Sequence, residues 1–105
     1  MSDVFVSHQD LLKDQVLAIK EVITRAESID AYEWLEGALD IKYKIDSNGD
    51  CIGGEVLVCF GGPTVWVDTE AMLIRGYWWD DTCLMHYHED PMDLNDAVID
   101  LGECR

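Results

Sequence analysis

Basic residues are scarce in this sequence. Only seven Lys and Arg accompany 22 Asp and Glu among 105 residues, which gives a formal net charge of -15 and an isoelectric point near 4.1. This charge repels nucleic acid, anionic membranes and acidic substrates, so none of them is expected to bind the protein directly. Because self-repulsion destabilises a compact domain, we expect something to offset the charge: adaptation to brine, a cationic ligand, or a strongly positive protein partner.

Long apolar runs and paired cysteines are also missing. No apolar run approaches the ~18 residues of a membrane span, and residues 1–10 lack the basic start and apolar core of a secretory signal. The four cysteines form no CxxC pair, which favours reduced thiols in a cytoplasmic protein. With 49% hydrophobic residues the chain can still bury a core, and its length predicts a single α+β domain over residues 1–105.

Catalytic and cofactor motifs are absent. The sequence contains no G-x-S-x-G, no phosphate-binding glycine loop and no HExxH. The segment 46–50 resembles the start of a calcium loop, but Cys51 and Leu57 stand where that loop needs Gly and Glu. Cys83, His86 and His88 carry zinc-type ligand atoms, although strand alternation turns Cys83 away from the two histidines. We therefore predict a protein that is not an enzyme and binds no metal or cofactor.

Helical spacing predicts two N-terminal helices. In the first, over about residues 8–26 and capped by Ser7, the apolar positions recur every three or four residues. They are Leu12, Val16, Ile19, Ile23 and Ala26. The second covers about residues 31–38 with Asp30 as its cap, and Ile29 and Trp34 stand where a hydrophobic staple would.

A period of two then predicts strands. Residues 39–46 and 51–60 flank Asn48-Gly49, a two-residue hairpin signal that sets Lys42 opposite Glu55 and Ile45 opposite Ile52. Further strands are predicted at about residues 64–68, 72–79 and 83–88. A last helix is predicted at 91–101, with Asp90 as cap, Pro91 in the first position and Gly102 at the stop. The fold class is therefore α+β: two N-terminal helices, an antiparallel four- to five-stranded meander, and a C-terminal helix packed on the sheet.

The last helix carries a row of carboxylates. Asp93, Asp96 and Asp100 recur at helical spacing, stepping about 4.5 and 6 Å along the axis on the side away from its apolar residues. Such a row can imitate the phosphates of DNA for a protein whose groove is lined with Lys and Arg. The candidate surface also includes the acids before this helix and those of the preceding turn, which are Glu89, Asp90, Asp80 and Asp81. The alternative is an ordinary charged helix face whose first acids serve the helix dipole.

Tryptophans form a second candidate group. Alternation places Trp78 and Trp79 on opposite faces of their strand, so one of the two must leave the core. Trp66 lies on the strand before it. An exposed Trp ringed by acids is typical of an interface anchor, so Trp66, Trp78 and Trp79 join the predicted partner-binding residues. The alternative is packing over the open sheet face or a dimer contact.

Two stretches carry a resemblance to phage proteins. GGPTVWVDT (61–69) and GYWWDD (76–81) resemble segments of small uncharacterised phage and prophage proteins. In size and acidity the chain is similar to phage anti-defence proteins, such as anti-CRISPR, anti-restriction and uracil-glycosylase inhibitors. The order of elements resembles that of the glycosylase inhibitor. The resemblance implies a protein of the host cytoplasm that occupies the DNA-binding groove of a host enzyme.

The main interpretation is therefore a non-enzymatic inhibitor of a positively charged nucleic-acid-binding host protein. The main alternative is a structural or regulatory interaction module, with the open sheet face and Trp66 as a homodimer contact. Halophilic adaptation and a small metal-dependent enzyme around His86 and His88 are further alternatives.

Overall fold

The computed structural model describes residues 8–25 and 30–104. Two helices precede the sheet and one follows it. The helices are α1 (His8–Thr24), α2 (Ala31–Glu36) and α3 (Leu94–Glu103). The strands are β1 (Asp40–Ile45), β2 (Cys51–Cys59), β3 (Thr64–Asp68), β4 (Leu73–Trp78) and β5 (Asp81–His86).

The five strands form one sheet in the order β1-β2-β3-β4-β5, and every neighbouring pair is antiparallel. The predicted α+β class and antiparallel meander are confirmed. The helices before the sheet are unequal, because α1 has 17 residues and α2 only six. None of the helices in the described ranges is long and apolar enough to cross a membrane.

The first hairpin confirms most of the predicted register. Lys42 pairs with Glu55 and Tyr43 with Gly54. The turn itself was predicted wrongly, because Ile45 pairs with Cys51 across a bulge. The loop has three residues, 47–49, rather than two. A hydrogen bond from the amide of Asp46 to the carbonyl of Asp50 closes it, and its last residue, Gly49, has a φ of 87°. A type I turn followed by a left-handed glycine gives this geometry, which shifts the last pair by one residue.

One face of the sheet is covered by helices. Residues Leu12 and Val16 of α1 lie so close to Gly76 in β4 that a Cβ atom there would stand 2.8 and 2.7 Å from their side chains. Val98 of α3 approaches Gly54 in β2 in the same way, at 2.9 Å. Glycine at these two strand positions therefore allows each helix to lie close to the sheet. Val56, Val65, Val67 and Ile74 fill the core between them.

The first two helices follow the predicted pattern where they are described. Leu12, Val16 and Ile23 are fully buried. Asp30 caps α2, and its Oδ1 accepts a 2.8 Å hydrogen bond from the amide of Tyr32. The predicted cap Ser7, the face residue Ala26 and the staple residue Ile29 lie outside the described residues.

The start of the last helix was predicted wrongly. Helix α3 begins at Leu94, because Asp93 adopts a left-handed conformation with a φ of 55° and Pro91 belongs to the preceding turn. Asp90 nevertheless stabilises the start of this helix, because its carboxylate accepts hydrogen bonds from the amides of Leu94 and Asn95 at 2.9 and 3.4 Å. Gly102 lies inside the helix, which ends one residue later.

The last strand also begins earlier than predicted. Trp79 has a φ of 58°, and Trp78 pairs with Asp81, so the turn contains only Trp79 and Asp80. The chain re-enters the sheet at Asp81 rather than at Cys83.

Candidate protein-interaction surface

Acidic residues concentrate on two helices. The segments that contain α2 and α3, residues 30–36 and 89–103, hold nine of the 22 acidic residues and no Lys or Arg. We name this group the α2–α3 face. Its members are Asp30, Glu33, Glu36, Glu89, Asp90, Asp93, Asp96, Asp100 and Glu103. All but Asp90 are exposed, so these carboxylates are accessible to solvent.

Two other parts of the molecule are electrically balanced. The residues of α1 and Arg25, which follows it, carry three acids and three bases. The sheet face turned away from the helices, here called the open face, also carries three of each: Asp40, Glu55 and Asp68 with Lys42, Lys44 and Arg75. Nine of the 15 net negative charges of the chain therefore lie on the α2–α3 face.

Ion pairs follow the same division. In residues 8–25 and 30–104, the ion pairs join Lys44 to Asp68 at 2.5 Å and to Glu70 at 3.3 Å, and Arg75 to Glu55. All of them belong to the sheet and its β3–β4 turn. Within the described residues, the carboxylates of the α2–α3 face therefore have no ion-pair partner to neutralise them.

A cleft opens on the α2–α3 face. It has a volume of about 380 Å³ and lies between the start of α2 and the turn before α3. Three carboxylates, those of Asp30, Asp93 and Asp96, line it together with the side chains of Tyr32 and Met92. Two of the acids predicted as a row are thus joined by a third from another helix, which makes the negative surface two-dimensional.

Tyr32 links the two helices of this face. Its hydroxyl donates a 3.0 Å hydrogen bond to Oδ2 of Asp100. This bond and the nearby negative charge of the same carboxylate raise the pKa of Tyr32 above its ordinary value. The bond joins Asp100 of α3 to Tyr32 of α2.

The acids of the β4–β5 turn are separated from those that precede α3. Asp80 and Asp81 stand at one end of β5, whereas Glu89 and Asp90 follow its other end. The strand between them spans about 17 Å. The expectation that the two groups adjoin is therefore wrong, because an extended strand separates them.

The three predicted tryptophans occupy three environments. Trp78 packs against the hydrophobic core. Trp79 lies in the β4–β5 turn with 78% of its surface exposed, so it is the tryptophan that leaves the core. Trp66 lies on the open face, where the ammonium group of Lys42 stands 4.8 Å from its ring centre. Trp66 is thus half-buried on the open face, whereas α3 packs on the opposite face of the sheet.

The histidine cluster has no metal-site geometry. The rings of His86 and His88 stack with their centres 6.4 Å apart. Cys83 pairs with Gly76, on the helix-covered face, whereas His86 pairs with Leu73 on the open face. Across the described part of the chain, no group of three or more His, Cys, Asp or Glu is arranged to hold a metal ion.

Several surface residues were missed by the sequence analysis. Asp30 and Tyr32 were assigned only to the start of a helix, and Leu39 and Phe60 only to strands. The absence of Lys and Arg from residues 26–41 and 76–104 would have identified the α2–α3 face directly. The position of Phe60 at the same end of the sheet as the β4–β5 turn depends on strand order, which no local signal in the sequence provides.

Comparisons with protein families, with curated proteins and with solved structures found no match.

Proposed function

We propose that the protein is a non-enzymatic inhibitor that binds a basic nucleic-acid-binding protein, such as a CRISPR effector or a restriction enzyme, through an acidic surface that imitates DNA. The observation that carries this proposal is the α2–α3 face, which concentrates nine carboxylates without a single basic residue. Its partner would be a groove lined with Lys and Arg in the cytoplasm of a host cell.

The arrangement of the carboxylates supports an imitation of a phosphate backbone. Asp96 and Asp100 lie about 6 Å apart along the axis of α3, and Asp30 adds a charge from a neighbouring element across the cleft. B-DNA carries one charge per about 3.4 Å of axis on each strand. Rigid helices hold such charges in place before binding. Ordering the carboxylates therefore costs little binding free energy.

Long-range electrostatic attraction also favours such a partner. Segregated charge attracts a groove of opposite sign over roughly 8 Å at physiological salt and over only about 3 Å at 1 M salt. The proposal therefore predicts fast association at low salt and a steep loss of association rate as salt rises.

The test is a titration against three cationic DNA-handling proteins: a CRISPR effector nuclease, a restriction endonuclease and a uracil-DNA glycosylase. A fluorescent DNA duplex serves as the competitor. We expect binding to one of them that displaces the duplex. A variant with Asp93→Asn, Asp96→Asn and Asp100→Asn should bind about tenfold more weakly, because three exposed ion pairs are lost.

The control removes the same charge elsewhere. Asp14→Asn, Glu21→Gln and Asp50→Asn change exposed residues of α1 and of the first turn. If this control weakens binding as much as the α3 variant does, the protein acts through net charge and not through the α2–α3 face. Absence of binding to all three proteins at low salt would contradict the proposal.

The second candidate is a homodimeric interaction module that uses the open face. The observation in its favour is the balance of three acids and three bases there, which removes local repulsion between two copies. Sedimentation separates the two candidates, because a dimer through a neutral face would persist across salt concentrations and would be disrupted by Trp66→Ser.

A further inference from the structure

Large apolar side chains are exposed together at one end of the sheet. Leu39, Phe60 and Trp79 are 60%, 75% and 78% exposed, which places them among the four most exposed large apolar residues of the described chain. We call these three residues the apolar end. A soluble domain rarely leaves several such side chains together in water unless the surface has a binding function.

Strand order brings the three residues together. The chain enters β1 from Leu39, leaves β2 at Phe60 and leaves β4 at Trp79, and antiparallel pairing puts these three points at the same end. The amide of Leu39 donates to the carbonyl of Leu57 at 2.8 Å, close to the end of β2. In the β2–β3 loop, a Cβ atom on Gly62 would lie 3.6 Å from the indole nitrogen of Trp78. The patch therefore spans about three inter-strand spacings, roughly 14 Å.

Carboxylates border the apolar end. Asp40 follows Leu39, and Asp80 and Asp81 follow Trp79. No Lys or Arg lies in residues 26–41 or 76–104, so no base of these two segments neutralises this rim. An apolar centre beside such carboxylates is complementary to a partner surface that carries positive charge.

The apolar end is also continuous with the α2–α3 face. Helix α2 starts beside the acidic cleft at Asp30 and ends at Glu36, shortly before Leu39. Six helical residues span only about 9 Å. Exposed Glu33 and Glu36 lie along this path, so one partner surface can contact the acidic face and the apolar end together.

We propose that the apolar end anchors the cationic protein that the α2–α3 face attracts, with Phe60 and Trp79 packing against arginine side chains of that partner. The inference rests on the proposed function. A guanidinium group stacks on an aromatic ring while pairing with a neighbouring carboxylate, and both groups are present in the Trp79-Asp80-Asp81 turn. Inside the molecule, the ammonium group of Lys42 makes a cation–π contact with the ring of Trp66.

Charge argues against a second copy as the occupant. Each copy carries a net charge of -15, and a dimer through the apolar end would bring Asp40, Asp80 and Asp81 of both copies together. A basic partner meets the same rim with attraction. The two occupants respond to salt in opposite ways, because salt weakens attraction between unlike charges and relieves repulsion between like ones.

The experiment measures association and dissociation rates with the cationic protein that binds in the titration described above. The test variant is Phe60→Ser with Trp79→Asn, since asparagine tolerates the left-handed backbone at position 79. The control is Leu84→Ser with Ile52→Ser, which are also exposed apolar residues but lie away from the apolar end. Far-UV circular dichroism and thermal unfolding confirm that each variant folds. If the double variant does not fold, Phe60→Ser alone replaces it.

We expect dissociation to become at least about tenfold faster for the test variant, with the salt dependence of association unchanged. The control should differ from the wild type by less than about twofold. Equal dissociation rates for the wild type and the test variant would overturn the inference and leave the proposed function intact. Failure of the wild type to bind any of the three proteins would overturn both. Self-association that strengthens with salt and is lost in the test variant would assign the apolar end to a second copy instead.

Discussion

Gly102 of α3 lies so close to Cys51 of β2 that a Cβ atom on the glycine would overlap the sulfur atom of the cysteine. The same Cβ atom would lie 2.9 Å from the ring of Tyr43. This approach holds the C-terminal half of α3 against the first hairpin, and so it determines where Asp96 and Asp100 stand above the sheet.

Replacing Gly102 with alanine should therefore destabilise the protein. Alanine favours a helix, but the added methyl group forces α3 away from β1 and β2, and overpacking of this kind costs about 1–3 kcal/mol. Urea unfolding measures the change. Gly37→Ala is the matched control, because its nearest contact is an ordinary 3.5 Å and its φ is -80°. Equal stabilities of the two variants would contradict the close packing of α3.

Lys44 should make stability depend on alkaline pH. Burial lowers its pKa, but the hydrogen bonds and charges of Asp68 and Glu70 outweigh burial and raise the pKa above the ordinary 10.5. A raised pKa means that the folded state holds the proton more tightly. The contribution is therefore complete below pH 10.5 and is lost as the pH rises through the folded value.

The variant Lys44→Met tests this relationship. It leaves the buried carboxylate of Asp68 without its cation, so we expect a loss of about 1–3 kcal/mol at neutral pH. The loss should shrink above pH 10.5, where the wild-type lysine also loses its charge. Chemical unfolding at a series of pH values measures both effects, and a difference that is independent of pH would refute the pairing.

Tyr87 carries a buried hydroxyl group. The side chain is 1% exposed, and no residue in the described ranges gives its oxygen a hydrogen-bond partner. Burial and the charges of Asp90 and Asp68 raise its pKa well above the usual range. Because an unsatisfied buried hydroxyl is unfavourable, Tyr87→Phe should stabilise the fold by about 1 kcal/mol. Thermal unfolding at neutral pH measures this, and a clear loss of stability would mean that the hydroxyl makes a hydrogen bond.

Tyr32 reports on the acidic face. Its hydrogen bond to Asp100 raises the pKa of the phenol, and Asp100→Asn should bring that pKa back toward the ordinary 10.0. An NMR titration of the Tyr32 ring signals measures the shift. Asp14→Asn, which removes a charge from α1, should leave the pKa of Tyr32 unchanged. If both variants shift it equally, the cause is net charge and not the hydrogen bond.

Local patterns predicted most of the fold. The alternation of residues 40–45 and 51–59 fixed Lys42 opposite Glu55, because a slip of one residue would turn the apolar set of β1 outward. The period of two predicted that Trp78 and Trp79 point to opposite faces of one strand, but Trp79 leaves the core because it lies in the β4–β5 turn. Errors arose where the backbone departs from a regular helix or strand, as at Asp93, whose left-handed φ delays the start of α3.

The candidate surface was less predictable. The acids of the last helix are visible in the sequence, although Asp93 lies just before α3 and not on it. The contribution of Asp30 depends on how α2 packs beside α3. The grouping of Leu39, Phe60 and Trp79 depends on which strand ends meet, and their separation along the chain hides this. By contrast, the distance between Asp80 and Glu89 could have been estimated from the length of the strand between them.

The uneven distribution of charge also gives the molecule a permanent electric dipole moment. A strongly negative helix surface and a balanced sheet surface form a dipole, which exerts a torque on the protein in the field of any charged body. On a positively charged support the protein should adsorb with the α2–α3 face downward. The open face, with Trp66 and Arg75, would then remain turned toward the solution.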